Sequence, residues 1–154
     1  MSRYLRQVAE FHAKFQPGRD PKHPTLRDTT VRNKRVRLLR EELHEFEEAT
    51  EALDLNAMAK ELADLLYVAF GAALEFGIPI DHIFGVVHES NMQKVWTKDE
   101  IDLYRANPGN PLTIQRFQPV DSTHYVAFRD DGKVVKPPSY QAPKVNVREG
   151  RPSE

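Results

Sequence analysis

The chain has 154 residues and a mass of 17.7 kDa, the size of one domain. Its 22 Lys and Arg against 23 Asp and Glu leave a net charge of -1, which argues against non-specific nucleic-acid binding by the surface as a whole, and the absence of Cys excludes disulfides, thiolate catalysis and Cys-based zinc sites. No apolar run approaches the roughly 20 residues of a membrane span. MSRYLRQVAEFHAKF carries charges too often for a secretory segment, so a soluble cytoplasmic domain that uses neither membrane nor nucleic acid is expected.

Proline places the elements. Of 11 prolines, three lie at 17–24, one at 79 and seven at 108–152, so the long helices belong in the proline-free stretch 25–78. A first helix is expected over about 2–15, with Tyr4, Val8, Phe11 and Phe15 at helical spacing. QPGRDPKHP follows as a loop. A second helix is expected from about Thr30 to Leu53, with the apolar stripe Val36, Leu39, Leu43, Phe46, Thr50 and Leu53. Asn56 is the expected N-cap of a third helix over about 57–76, which is apolar on nearly every side after residue 64 and therefore reads as buried. Gly77 and Pro79 stop it, and a fourth helix runs from there to about Val95.

Beyond Trp96 a short helix (99–106) and a loop are expected, then a β-hairpin, HYVAF-RDDG-KVV, and a proline-rich extended tail. The expected fold is all-α: a four-helix bundle with a C-terminal β-hairpin and extended tail. Residues 1–154 form one domain, with a helical core at about 2–95, an insertion at 96–122 and the hairpin and tail at 123–154.

The acids stand out. Nine fall between 41 and 64, where Lys60 is the only basic residue. Most helix glutamates are solvated. On the wheel, however, Glu42 lies about 20° from the edge of the apolar stripe and Glu45 about 60° further round. Glu61 and Asp64 share their helix face with Leu65 and Val68. An ionised carboxylate buried without a partner is very costly, so something positive must face these groups. Residues three apart are helix neighbours, and a break of a few residues makes the two helices pack antiparallel. Glu42, Glu45, Glu61 and Asp64 should then converge. Oxygen-only donors suit a hard ion such as Mg²⁺ or Mn²⁺; the alternative is a cluster neutralised by Lys and Arg.

Glu41-Glu42-Leu43-His44-Glu45, followed after 15 residues by Glu61-Leu62-Ala63-Asp64, resembles the E-E-x-x-E…E-x-x-D signature of the MazG-like all-α nucleoside triphosphate pyrophosphohydrolases. That group also includes phosphoribosyl-ATP pyrophosphohydrolases and dimeric dUTPases. KELADLLYVAFGAALEFGIPIDHIFGVVHESNMQK and DGKVVKPPSY resemble its bacterial and phage branch. The resemblance implies a four-helix MazG-like bundle and metal-dependent cleavage of the α–β bond of a (d)NTP to the monophosphate and diphosphate. Purine deoxynucleotides such as dGTP are the hinted substrates, and the setting is the cytoplasm of a bacterium or phage-infected cell. Phosphoribosyl-ATP hydrolysis, or a non-catalytic helical oligomerisation or nucleic-acid-binding module, are the alternatives.

The resemblance makes Glu42, Glu45, Glu61 and Asp64 metal ligands and Glu41 a further acid that binds metal or orients water. It leaves the general base open between carboxylates, with Glu41 and Glu42 as the catalytic candidates. Asn91 and Lys94 match an N-x-x-K element expected one turn apart on the fourth helix, where Lys94 would bind phosphate. Formal charges of -5 on the five acids and about -4 on a triphosphate call for two or three Mg²⁺ or Mn²⁺ ions. No G-x-x-x-x-G-K loop is present, so phosphates must be held otherwise. Lys133 and Lys136 beside the hairpin turn are candidates, with solvated surface as their alternative. Tyr67 is either a core residue or a substrate contact, and Phe11 and Phe15 are core or a shelf for a base. A homodimer or homotetramer is expected, since an all-round apolar helix is better buried in a shared bundle.

Overall fold

The structure, a computed structural model, describes residues 1–107, 109 and 112–148; residues 149–154 of the expected tail lie outside these. Among the described residues the order is α1 (Arg3–Phe15), α2 (Thr29–Glu51), α3 (Leu55–Glu75), α4 (Ile80–Met92), β1 (Trp96–Thr97), α5 (Lys98–Ala106), β2 (Arg116–Pro119), β3 (His124–Phe128) and β4 (Val134–Val135). The fold is all-α with a C-terminal strand region, as expected. The chain divides into two compact units: Met1–Ile83 with the segment from Asn146, and Phe84–Val145. The expected insertion and hairpin thus belong to a single unit.

In the first unit α3 packs against both α1 and α2. Each helix starts on a side-chain cap: Ser2 accepts from the Leu5 amide, Asp28 from Val31, and Asp54 from Asn56 and Ala57. Asp54 rather than Asn56 caps α3, because its carboxylate reaches both free amides and starts the helix two residues earlier. The α2–α3 link is short. Leu53, expected as the last residue of the α2 stripe, lies outside the helix in the left-handed region (φ 56°). Its amide bonds the Thr50 carbonyl and that of Asp54 bonds Ala49, which closes α2 and reverses the chain.

The packed face of α2 differs from the expected stripe. Arg35 and Ala49 are buried, whereas Val36, Leu43, Thr50 and Leu53 are exposed. Arg35, Glu42 and Ala49 are seven apart and form one line along the helix, one residue earlier in each heptad than Val36, Leu43 and Thr50. The inward face therefore centres on Glu42, which the apolar periodicity placed only at the edge. The expected burial of α3 all round is not found in the single chain. Gly71, Ala73 and Glu75 are buried, while Leu62, Leu66 and Tyr67 stay exposed, since α1 and α2 cover only part of its surface.

In the second unit β3 pairs antiparallel with β1, β2 and β4. The hairpin β3–β4 turns at Gly132, φ 79°, as expected for a glycine turn. Strands β1, just past the expected end of the fourth helix, and β2, in the expected loop, complete the sheet. Its core is Trp96, Ile101, Ala127 and Val135, with Tyr104 and Phe117 edge-on to the indole. Trp96 is fully buried, and its Nε1 donates to the Val135 carbonyl at 2.9 Å. Trp96→Phe keeps an aromatic ring but strands that carbonyl, so a loss of about 1–3 kcal/mol is expected in denaturant unfolding followed by probes in this unit.

Candidate metal centre

Antiparallel packing of α2 on α3 brings one carboxylate oxygen each of Glu42, Glu45 and Glu61 within 4.8 Å of one another. Glu42 and Glu45 are one turn apart on α2, and Glu61 faces them from the first turns of α3. The Glu61 side chain is only 12% exposed, so this cluster is partly withdrawn from water. Burial holds the Glu42 carboxyl above the usual glutamate value of 4.5, and the negative charges of Glu45, Asp64 and Glu61 push it in the same direction; Lys60 opposes them.

Asp64 is the fourth expected member. Its charge acts on Glu42, but its Oδ2 lies 2.9 Å from the Lys60 ammonium, and at 45% exposure it is more open than Glu61. The same Lys60 Nζ contacts both Glu61 oxygens at 2.9 and 3.0 Å. These bonds raise the Lys60 pKa. Lys60 is a positive partner of Glu61 and Asp64, and its place was missed in the sequence although the K-E-x-x-D spacing carries it. Glu41 is not among the three clustered carboxylates; it is exposed and paired with Arg37 Nε at 3.8 Å. Two concavities of the same unit, of about 450 and 510 Å³, are lined by none of these carboxylates.

The donor set, all carboxylate oxygen with no His or Cys, suits Mg²⁺ or Mn²⁺. Clustered like charges with one desolvated member are what a divalent cation would relieve.

Tyr67 stands one turn beyond Asp64, with its ring edge-on to Phe11 at 5.8 Å, and Phe11 lies 4.8 Å from Phe15. Burial and Glu10 raise the Tyr67 pKa. All three rings are partly exposed, so they are not sealed core. Asn91, Lys94, Lys133 and Lys136 belong to the second unit. Helix α4 ends at Met92 rather than near Val95, which corrects the placement of Lys94: it lies just past the helix, its amide bonded to the Asn91 carbonyl at 3.2 Å. The Lys133 amide donates to Asp131 Oδ1, and the Lys136 ammonium stands 4.6 Å over the Tyr140 ring.

A second polar cluster in the first unit was not anticipated. Arg35 Nε donates to Glu75 Oε2, both residues being buried. Arg35 Nη2 lies 3.3 Å from His12 Nε2, and His12 Nδ1 lies 2.7 Å from Asp20. Arg35 has no acceptor, so His12 Nε2 accepts and its Nδ1–H donates to Asp20.

The shifted Glu42 has a pH consequence. Its carboxyl holds a proton to higher pH folded than unfolded. It therefore favours the folded, metal-free protein below the unfolded value, and that contribution is lost as pH rises through the folded value. Glu42→Gln is expected to raise the melting temperature in EDTA at pH 7 and to remove this decline, measured by thermal unfolding across a pH series. Affinity for Mn²⁺ should fall on acidification through the same range, because the ligand must be deprotonated.

A phosphoribosyl-ATP pyrophosphohydrolase family model matches residues 8–91, which contain Glu41, Glu42, Glu45, Glu61 and Asp64. No curated protein sequence matches the chain.

Proposed function

Starting from a chain that belongs to the phosphoribosyl-ATP pyrophosphohydrolase family, within the MazG-like all-α pyrophosphohydrolase superfamily, we propose that it hydrolyses nucleoside triphosphates, including deoxynucleotides, to the monophosphate and diphosphate. Pyrophosphohydrolase activity is the family's property, and the nucleoside triphosphate is the proposed substrate. The observation that supports it is the convergence of Glu42, Glu45 and Glu61 with Asp64 one turn on. These four would hold two or three Mg²⁺ or Mn²⁺ ions. Such ions supply charge stabilisation for the phosphoanhydride oxygens and activate a water for in-line attack.

The protein's own groups divide the remaining work. Glu42, whose burial and acidic neighbours raise its affinity for a proton, is the stronger candidate to accept one from the attacking water. Glu41, exposed beside Arg37, orients that water or binds a further ion. Lys94, Lys133 and Lys136 are proposed as phosphate-binding cations and Asn91 as an amide partner on the sequence resemblance alone. Tyr67 with Phe11 and Phe15 offers a ring surface next to the acids. Phosphoribosyl-ATP is the second reading, favoured by the description of the matching family.

Diphosphate release from the eight canonical nucleotides and phosphoribosyl-ATP, with Mg²⁺ or Mn²⁺ and with EDTA, decides between them. Turnover of a (d)NTP that EDTA abolishes is the expected result; turnover of phosphoribosyl-ATP alone selects the second reading. Metal should also stabilise the fold by about 2.7 kcal/mol at a hundredfold excess over Kd. A melting temperature that neither EDTA nor millimolar Mn²⁺ changes would remove the metal site. A homodimer or homotetramer is part of the same proposal. Exposed Leu43 on α2 and Leu62 and Leu66 on α3 are the surfaces a second copy would cover, and light scattering that gives a monomer mass refutes it.

A further inference from the structure

We propose that Lys60 is a resident counter-cation of the acidic site, holding Glu61 and Asp64 in the metal-free protein and exchanging with the divalent ion when it binds. The inference rests on the metal reading above. An ammonium has three N–H donors. Lys60 Nζ meets three carboxylate oxygens, two on Glu61 at 2.9 and 3.0 Å and one on Asp64 at 2.9 Å, so its donors are all used. Glu61 is at once a member of the Glu42, Glu45 and Glu61 group. A divalent ion would take the same oxygens at about 2.0–2.1 Å for Mg²⁺, against the repulsion of an ammonium already seated on them. Both cations cannot be held fully.

Asp64 and Lys60 are the parts able to move. The Lys60 side chain is 64% exposed and Asp64 45%, against 12% for Glu61. Breaking exposed pairs costs little, and withdrawing the lysine frees the Asp64 carboxylate to join the other three. The arrangement thus lowers repulsion in the empty site and raises the metal concentration needed to fill it. An ordinary surface ion pair along one helix would do neither; it would stabilise the loaded and empty protein alike.

The test uses the full chain, with Mn²⁺ titrated calorimetrically and melting temperatures taken in EDTA and in saturating Mn²⁺. Lys60→Met keeps helix propensity and the apolar stem. Two pairs to one exposed ammonium, each worth a factor of about two to five, compound to a Mn²⁺ affinity about tenfold tighter in this variant. Its melting temperature should fall in EDTA and not in Mn²⁺. Lys60→Arg, which keeps the charge, should stay near wild type. Arg40→Met removes a positive charge from α2 without touching these pairs, and should change the affinity by no more than about twofold. An affinity of Lys60→Met within twofold of wild type, or an equal fall in melting temperature with and without Mn²⁺, overturns the exchange while leaving the metal site intact. Wild-type protein that binds no Mn²⁺ overturns both.

Discussion

Asp64→Asn and Glu45→Gln are each expected to cut diphosphate release by about 10²–10³ at saturating metal, a loss of roughly 2.7–4 kcal/mol of transition-state stabilisation, while leaving the metal-free fold as stable as wild type or more so. Both replacements keep shape and delete one charge. The sign of the stability effect follows from the site itself. Glu45 and Asp64 each push the Glu42 carboxyl toward its protonated form, so removing either charge relieves repulsion at Glu42. Asp64→Asn also gives up its bond to Lys60, but that pair is exposed and contributes little. Glu47→Gln and Glu51→Gln remove charges from the same helix at exposed positions outside the cluster, and should change turnover little. Steady-state release with each variant, beside its melting temperature in EDTA, separates the outcomes. Near-wild-type release by Asp64→Asn, or equal inactivity of a folded Glu51→Gln, would remove the assignment.

The acidic site was legible because its signal is local. Two carboxylate pairs at helical spacing, each lying toward an apolar face, are visible in the sequence, and a short link forces their helices together. The inward face of α2 was less legible. Val36, Leu43 and Thr50 continue an apolar period, yet the helix buries Arg35 and Ala49, with Glu42 half-buried on the same line, one residue earlier. A hydrophobic wheel scores Arg35 as solvent-facing and puts Glu42 only at the edge of the stripe, and it takes a partner across the interface to turn Arg35 inward.

Glu75 is that partner for Arg35, 40 residues away, and no local pattern announces it. Strands β1 and β2 escaped for a related reason. They are two and four residues long, β2 ends in Pro119, and both exist through pairing with β3 and the burial of Trp96. Lys60 was seen only as the one base among acids. Its bridge between Glu61 and Asp64 depends on rotamers, which spacing permits but does not choose.

The buried Arg35–Glu75 pair carries the other large expected effect. Glu75→Leu leaves the Arg35 guanidinium buried without its counter-charge, and a loss of about 3–5 kcal/mol in denaturant unfolding is expected. Arg19 Nη1, 4.0 Å from Glu75, loses its partner as well, but at 39% exposure water replaces it. A Cβ on Gly71 of α3 would already lie 2.9 Å from Arg35 Nη1 and 3.4 Å from His12 Nε2, so glycine is what admits the arginine between the helices. Removing both charges together changes the outcome. Arg35→Met with Glu75→Leu fills the same space with apolar side chains, and should recover most of the single-variant loss. The recovery should stop about 1–3 kcal/mol short, because His12 Nε2 then has no donor. A double variant as unstable as Glu75→Leu alone would show that the pair contributes more than mutual neutralisation. On α2, Arg35 lies two turns before Glu42, about 10 Å along the axis. A pair that pins α2 to α3 there also sets how far Glu42 and Glu45 slide past Glu61. The double variant should therefore recover stability before it recovers Mn²⁺ affinity, read by calorimetric titration of the folded protein; full recovery of both would confine the pair to stability alone.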